Sequence, residues 1–212
     1  MTEPLPLIKP MTKTRLEAFS DGVIAILITI MVLDLKTPAI FTLEGLLTAS
    51  HGFLLYALSF IYLGIYWNNH HHLLHAAQRI SGGVMWANLH LLFWLSLIPF
   101  TTRWMGESWS DVTHRLGVLP TAVYGLSLLL PAIAYYVLVQ VLIYVNGPQG
   151  AIATVIGKDV KGVISVVIYM AGIGLTVWHA WAGISCYILV ALLWLIPDRR
   201  IERASLQPTP KP

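Results

Sequence analysis

The stretch RLEAFSDGVIAILITIMVLDLK, residues 15–36, decides the fold. It opens with Arg15, Glu17, Ser20 and Asp21 around a single Phe19. It runs from Gly22 to Leu33 with Thr29 as its polar interruption, and it closes on Asp34 and Lys36. About 20 residues at about 1.5 Å rise cover the hydrocarbon core of a bilayer, so the stretch reads as a membrane-spanning helix. Its entry is unusual, because acids this close to a membrane helix are costly unless they are paired or face water. Glu17 and Asp21 are four apart and share a helix face, where like charges repel. At least one of them is therefore expected to find a positive partner.

The remaining chain extends this reading. Of 212 residues, 57% are hydrophobic and 11% charged, against about 25% charged in average soluble chains. Several long apolar runs make this an all-α, polytopic membrane protein. The net charge of +3 is no nucleic-acid signal, because the basic residues sit in short loops and tails. The single Cys186 offers neither a disulfide nor a cysteine metal cluster. Asp34-Leu-Lys-Thr-Pro38 follows the first apolar run where a signal peptide would carry small residues for cleavage. The run is therefore expected to stay as a mature helix.

Six spans are expected, at about 14–36, 51–75, 84–104, 116–144, 160–177 and 181–197. They make one transmembrane domain over 14–198, flanked by cytoplasmic tails at 1–13 and 199–212. Pro38 ends the first span, residues 37–50 are a loop, and AIATVI at 151–156 is too short to cross. Six spans put both termini on one side. With the termini inside, the inner segments hold Lys9, Lys13, Arg15, Arg79, Lys158, Lys161, Arg199, Arg200, Arg203 and Lys211. The outer segments then hold Lys36, Arg103 and Arg115. The excess of inner charge orients the chain N-in, C-in.

On a helical wheel, Gly22, Ile26, Thr29, Ile30 and Leu33 share one side of the first span, with Ile24, Leu27, Ile28 and Met31 opposite. The pattern alone is that of ordinary helix packing. His70, His71, His72 and His75 cluster at the inner end of the second span. No HExxH and no carboxylate in that span completes a metal site, so a structural role is expected. The partners at the same depth are Arg15, Glu17, Ser20, Asp21, Asn88 and His90. There is no P-loop, no TVGYG-like filter, no arginine ladder and no hydrolytic trio.

Three stretches resemble a known family. Arg15-Leu-Glu-Ala-Phe19-Ser20-Asp21-Gly22 resembles the RxxxFSD signature of the transmembrane protein 175 potassium channels. Trp67-Asn-Asn-His70-His71 is similar to that family's W-x-x-H-H. Asn88 and Pro99-Phe100-Thr101 are similar to its N…PFxT. The resemblance covers about residues 12–200, in order. The chain carries one FSD motif, like the prokaryotic form.

The resemblance implies a homotetramer in which four copies of the first helix line a pore. Ile26, Thr29, Ile30 and Leu33 would face that pore, with Ile26 at the hydrophobic constriction. Arg15, Phe19, Ser20, Asp21, His70 or His71, and Asn88 would form the structural polar network. The implied function is a cation channel modestly selective for potassium over sodium, and not an enzyme. It has no cofactor or metal, and potassium is its permeant ligand. The implied partners are the chain's own copies, monovalent cations and the lipid of a bacterial inner membrane. The alternative is a secondary or proton-coupled transporter that uses Asp21, Glu17 and the histidines as a relay.

Overall fold

The structure, a computed structural model, describes residues 12–109, 116–156 and 160–195. Residues 1–11 of the tail expected at 1–13, the tail expected at 199–212, residues 196–198 at the end of the transmembrane domain, Lys158, His114 and Arg115 lie outside the described residues. Eight α-helices and one 3-10 turn are present among the described residues. They are α1 (Lys13–Ile30), the 3-10 turn (Met31–Asp34), α2 (Leu43–Ala76), α3 (Gly82–Leu95), α4 (Ile98–Glu107), α5 (Val118–Asn146), α6 (Ala151–Ile156), α7 (Val160–Leu175) and α8 (Ala180–Leu195). Among the described residues, four stretches are long and apolar enough to cross a membrane: Lys13–Asp34, Leu43–Ala76, Gly82–Glu107 and Val118–Asn146. Two shorter apolar helices, α7 and α8, follow.

Two expectations need correction. The second helix starts at Leu43, not near 51, so most of the expected loop at 37–50 is helical. Thr42 explains the early start: its side chain accepts from the Gly45 amide at 3.2 Å. Glu44 in the first turn also favours the positive helix end. The third span, expected to be continuous, is interrupted at Ser96-Leu97 and restarts as α4 with Pro99 in its first turn. Pro99 has no N–H for an i−4 bond, and its ring crowds the carbonyl of Leu95. AIATVI forms the short α6, a single turn and a half that does not span.

α5 is the central post. It packs against α3, α4, α7 and α8, whereas α2 packs against α1, α4 and α8. α1 stands at the edge, with α2 and α3 as its main neighbours. Polar side chains inside the bundle meet one another, because a bilayer offers them no water. Ser59 on α2 lies 2.7 Å from the Thr102 hydroxyl and 2.9 Å from the Tyr124 hydroxyl. Thr101 meets Ser127 at 2.7 Å. Tyr62 donates to the carbonyl of Tyr187, and Trp194 Nε1 donates to Ser165 at 2.8 Å. Between α2 and α3, the Asn146 side chain accepts from the amides of Gln78 and Arg79 at 2.8 Å each, so it fixes the turn there.

Glycines let α5, α7 and α8 approach closely. A methyl at Gly125 would overlap the Tyr187 ring and press on Ile173, and one at Gly183 would overlap Thr176. At Gly174 a methyl would meet nothing within 4 Å. Gly125→Ala is therefore expected to destabilise the fold by about 1–3 kcal/mol through overpacking. Gly174→Ala should be close to neutral. Thermal unfolding of the detergent-purified protein checks both, and equal midpoints for the two variants would contradict the packing described.

Candidate functional site

The site has two parts, both belonging to α1: a buried polar contact and an open apolar face. α1 buries Leu16, Ser20, Ile24, Leu27 and, in the turn beyond it, Met31. These are spaced three to four apart and form one stripe. Ser20 is fully buried and donates to its own Leu16 carbonyl at 2.9 Å. Its oxygen accepts from Asn88 Nδ2 on α3 at 2.9 Å. Asn88 Oδ1 lies 2.6 Å from His70 Nε2 on α2. Three helices thus meet through one amide, and all three side chains are buried.

The neighbouring charges lie around this contact. Asp21 is half-buried and accepts from Trp67 Nε1 at 3.1 Å, so its partner is a neutral donor. Glu17 is 4.0 Å from Lys13 Nζ, and one of its carboxylate oxygens is enclosed without a hydrogen bond. Lys13 also donates to the His75 carbonyl, where it satisfies an orphan group at the end of α2. The expectation of a positive partner for one of the two acids is thus met at Glu17.

The expected network divides. Ser20, His70 and Asn88 come together, with Asp21 and Trp67 beside them. His71 is exposed and stacks on Trp67 and His75 at ring-centroid distances of 6.2 Å. Arg15 and Phe19 are exposed on α1, and no side-chain partner for Arg15 exists among the described residues. His90 accepts from Trp94 Nε1 at 2.8 Å, away from the contact. Among the described residues no group of three His, Cys, Asp or Glu side chains could hold a metal ion. Sequence reasoning misses Trp67 as the partner of Asp21. The available signal is a lone indole beside a membrane-embedded acid.

The other side of α1 is uncovered by its own chain. Ile26 is 62% exposed, Ile30 46% and Leu33 79%, while Ile24 is 0%. Gly22, Ala25 and Thr29 lie on the same open side. A Cβ added at Gly22 would meet nothing within 4 Å. The Thr29 hydroxyl donates to the carbonyls of Ala25 at 3.0 Å and Ile26 at 3.1 Å. Its proton is therefore held by the backbone.

A helical membrane protein whose first span is pinned by a polar contact and left open on an apolar face is the class that this architecture defines. Residues 15–99 match the family described as endosomal/lysosomal potassium channel TMEM175. The chain is 48% identical over 194 residues to a protein named a potassium channel in a Chryseobacterium species, covering 92% of this chain and 98% of that one. A second named potassium channel, from Streptomyces collinus, is 34% identical over 128 residues, 58% of this chain and 61% of its own. The backbone matches the crystal structure of a lysosomal potassium-selective channel TMEM175 homolog from Chamaesiphon minutus. The TM-score is 0.72 at 25% identity, covering 89% of this chain and 97% of that one. The chain belongs to the TMEM175 family.

Asn88 is the pivot of the buried contact. Asn88→Leu removes the donor to Ser20 and the acceptor for His70 and leaves a buried imidazole nitrogen unpaired, at a cost of about 1–3 kcal/mol. His71→Leu, at an exposed position, should change stability by no more than about 0.5 kcal/mol. Thermal unfolding in detergent compares them. Equal losses would mean that the buried contact contributes no more to stability than an exposed histidine.

Proposed function

We propose that this chain is the subunit of a homotetrameric potassium channel in which the open face of α1 lines the ion path. The observation that supports this reading best is the asymmetry of α1: Ile24 is wholly covered by its own chain while Ile26, two residues on, is 62% exposed. In a bilayer such a face meets lipid, a neighbouring copy or a pore. The small residues Gly22 and Ala25 on that side permit close approach of another helix. The relatives that match this chain are named potassium channels. One helix cannot enclose a pore, and the sequence carries one FSD motif, at Phe19-Ser20-Asp21.

Four copies would turn Ile26, Ile30 and Leu33 into rings of branched apolar side chains. Such rings offer no donor or acceptor to a cation that sheds water, so a narrow one is a barrier by dewetting. The Thr29 ring would place four hydroxyl oxygens on the path. Four hydroxyls are few beside a stack of carbonyls, and they support potassium preference over sodium of modest degree. The Ser20–Asn88–His70 contact is structural in this reading, as are Asp21 and Trp67, with Arg15 and Phe19 placed to meet a neighbouring subunit. A proton relay from His70 to Ser20 would have to cross the Asn88 amide, which is neither an acid nor a base near neutral pH. That argues against a proton-coupled transporter that runs through this buried contact. The protein would cross a bacterial inner membrane six times, using α7 and α8 as the last two spans, with both termini cytoplasmic. It requires no cofactor in this role.

Ile26→Asn places a hydratable group at the first ring without a large change in size. A barrier lowered by about 1.4 kcal/mol raises flux about tenfold. The variant should therefore leak cations faster and prefer potassium less. Ile28 is half-buried against the core, and Ile28→Asn should lower yield and leave flux per tetramer unchanged. Potassium and sodium flux from liposomes, normalised to tetramer, separates the two. Identical behaviour would place the pore on another face. Native mass spectrometry in mild detergent should show a tetramer, and monomers or dimers alone would refute the assembly.

A further inference from the structure

The end of α1 changes helix type where the open face ends. Ile30 (φ −68°, ψ −30°) and Met31 (φ −62°, ψ −26°) already have 3-10 dihedrals, and the 3-10 turn runs from Met31 to Asp34. The Leu35 amide closes it by donating to the Val32 carbonyl at 3.2 Å. In an α-helix three residues advance about 300°, so Leu33 would sit about 60° away from Ile30. In a 3-10 turn three residues complete one revolution, and side chains at i and i+3 eclipse. The turn therefore puts Leu33 in line with Ile30 on the open side, where Leu33 is 79% exposed.

A chain of four charges holds this turn. Arg103 Nη1 on α4 donates to Asp34 Oδ1 at 3.1 Å, and Arg103 Nε donates to Glu107 Oε1 at 3.1 Å. Lys36 Nζ lies 3.6 Å from the same Glu107 oxygen. Asp34 is the last residue of the turn and Lys36 lies two beyond it, so both charges that bracket the end of α1 are tied to the last two turns of α4. Arg103 is the hub, because its planar fork reaches both acids at once.

We infer that Arg103 is a positioning residue: through Asp34 it holds the 3-10 turn and so keeps Leu33 in line with Ile30. The inference rests on the reading of α1 as the pore-lining helix. Releasing Asp34 lets the turn relax toward α geometry, which turns Leu33 about 60° away from Ile30 on the open face and leaves Ile26, two turns earlier, in place.

The test uses Leu33→Cys and, separately, Ile26→Cys in a Cys186→Ala background, reconstituted in liposomes. Potassium flux is measured before and after a cationic methanethiosulfonate reagent. With Arg103 present, modification of the introduced thiol at either position should block flux. Arg103→Gln should change the rate of block of the Leu33→Cys channel by roughly two- to five-fold, the range that an exposed ion pair sets, and leave block of the Ile26→Cys channel unchanged. Asp34→Asn, which removes the same pair from the other side, should do likewise and decides the matter if Arg103→Gln fails to assemble. The exchange Asp34→Arg with Arg103→Asp should restore the parental rate. Equal block of the Leu33→Cys channel with and without the pair, or an equal change in both cysteine variants, overturns the inference and leaves the pore assignment standing. Labelling without block in both cysteine variants, with the ion pair intact, overturns the pore assignment and the inference with it.

Discussion

The contact from Ser20 through Asn88 to His70 sets the rotation of α1, and the placement of its open face follows from that rotation. An apolar helix in a membrane gains little from burying one side rather than another, because lipid is as apolar as a neighbouring leucine. A buried hydroxyl and amide differ from lipid, since an unmade hydrogen bond costs about 1–3 kcal/mol. Ser20 faces inward because Asn88 is there to donate to it at 2.9 Å. Once Ser20 is turned inward, Ile24 and Leu27 follow on the same stripe, and Ile26, Ile30 and Leu33 must look away. One amide on α3 thereby determines which side of α1 its own chain leaves open.

The same logic runs through the bundle without charges. Ser59, Thr102 and Tyr124 satisfy one another, as do Thr101 and Ser127, and tyrosine hydroxyls reach backbone carbonyls on other helices. The ion pairs among the described residues lie at the two ends of α1, with Lys13 and Glu17 at one and Asp34, Lys36, Arg103 and Glu107 at the other. α1 is thus held by hydrogen bonds in its first half and by ion pairs at its far end, with an apolar stretch between that carries Thr29 as its polar group.

Much of this is legible in the chain because membrane helices announce themselves by length and apolarity. The polar entry at Glu17, Ser20 and Asp21 is readable too, since polar groups there must find partners. The choice between His70 and His71 is harder. Adjacent residues differ by about 100° on a helix, and only the packed series decides between them. Leu55, Ser59, Tyr62, Tyr66, His70 and Leu73 carry that series, at three- and four-residue spacing. The break before α4 has its signal in Pro99 and the early start of α2 in Thr42, but both lie inside apolar surroundings that mask punctuation. The role of Arg103 is invisible for a different reason. It reads in sequence as a charge at the end of a span, and its link to Asp34 crosses 69 positions.

Distances between identical spin labels on the assembled protein test the central claim most directly. A label at Leu33, on the open face, should report two distances in the ratio of the side to the diagonal of a square, with the diagonal shorter than the width of one subunit. Four copies of α1 around a shared axis require that pattern. A single distance, or distances wider than one subunit, would contradict the claim that the open face of α1 encloses the pore.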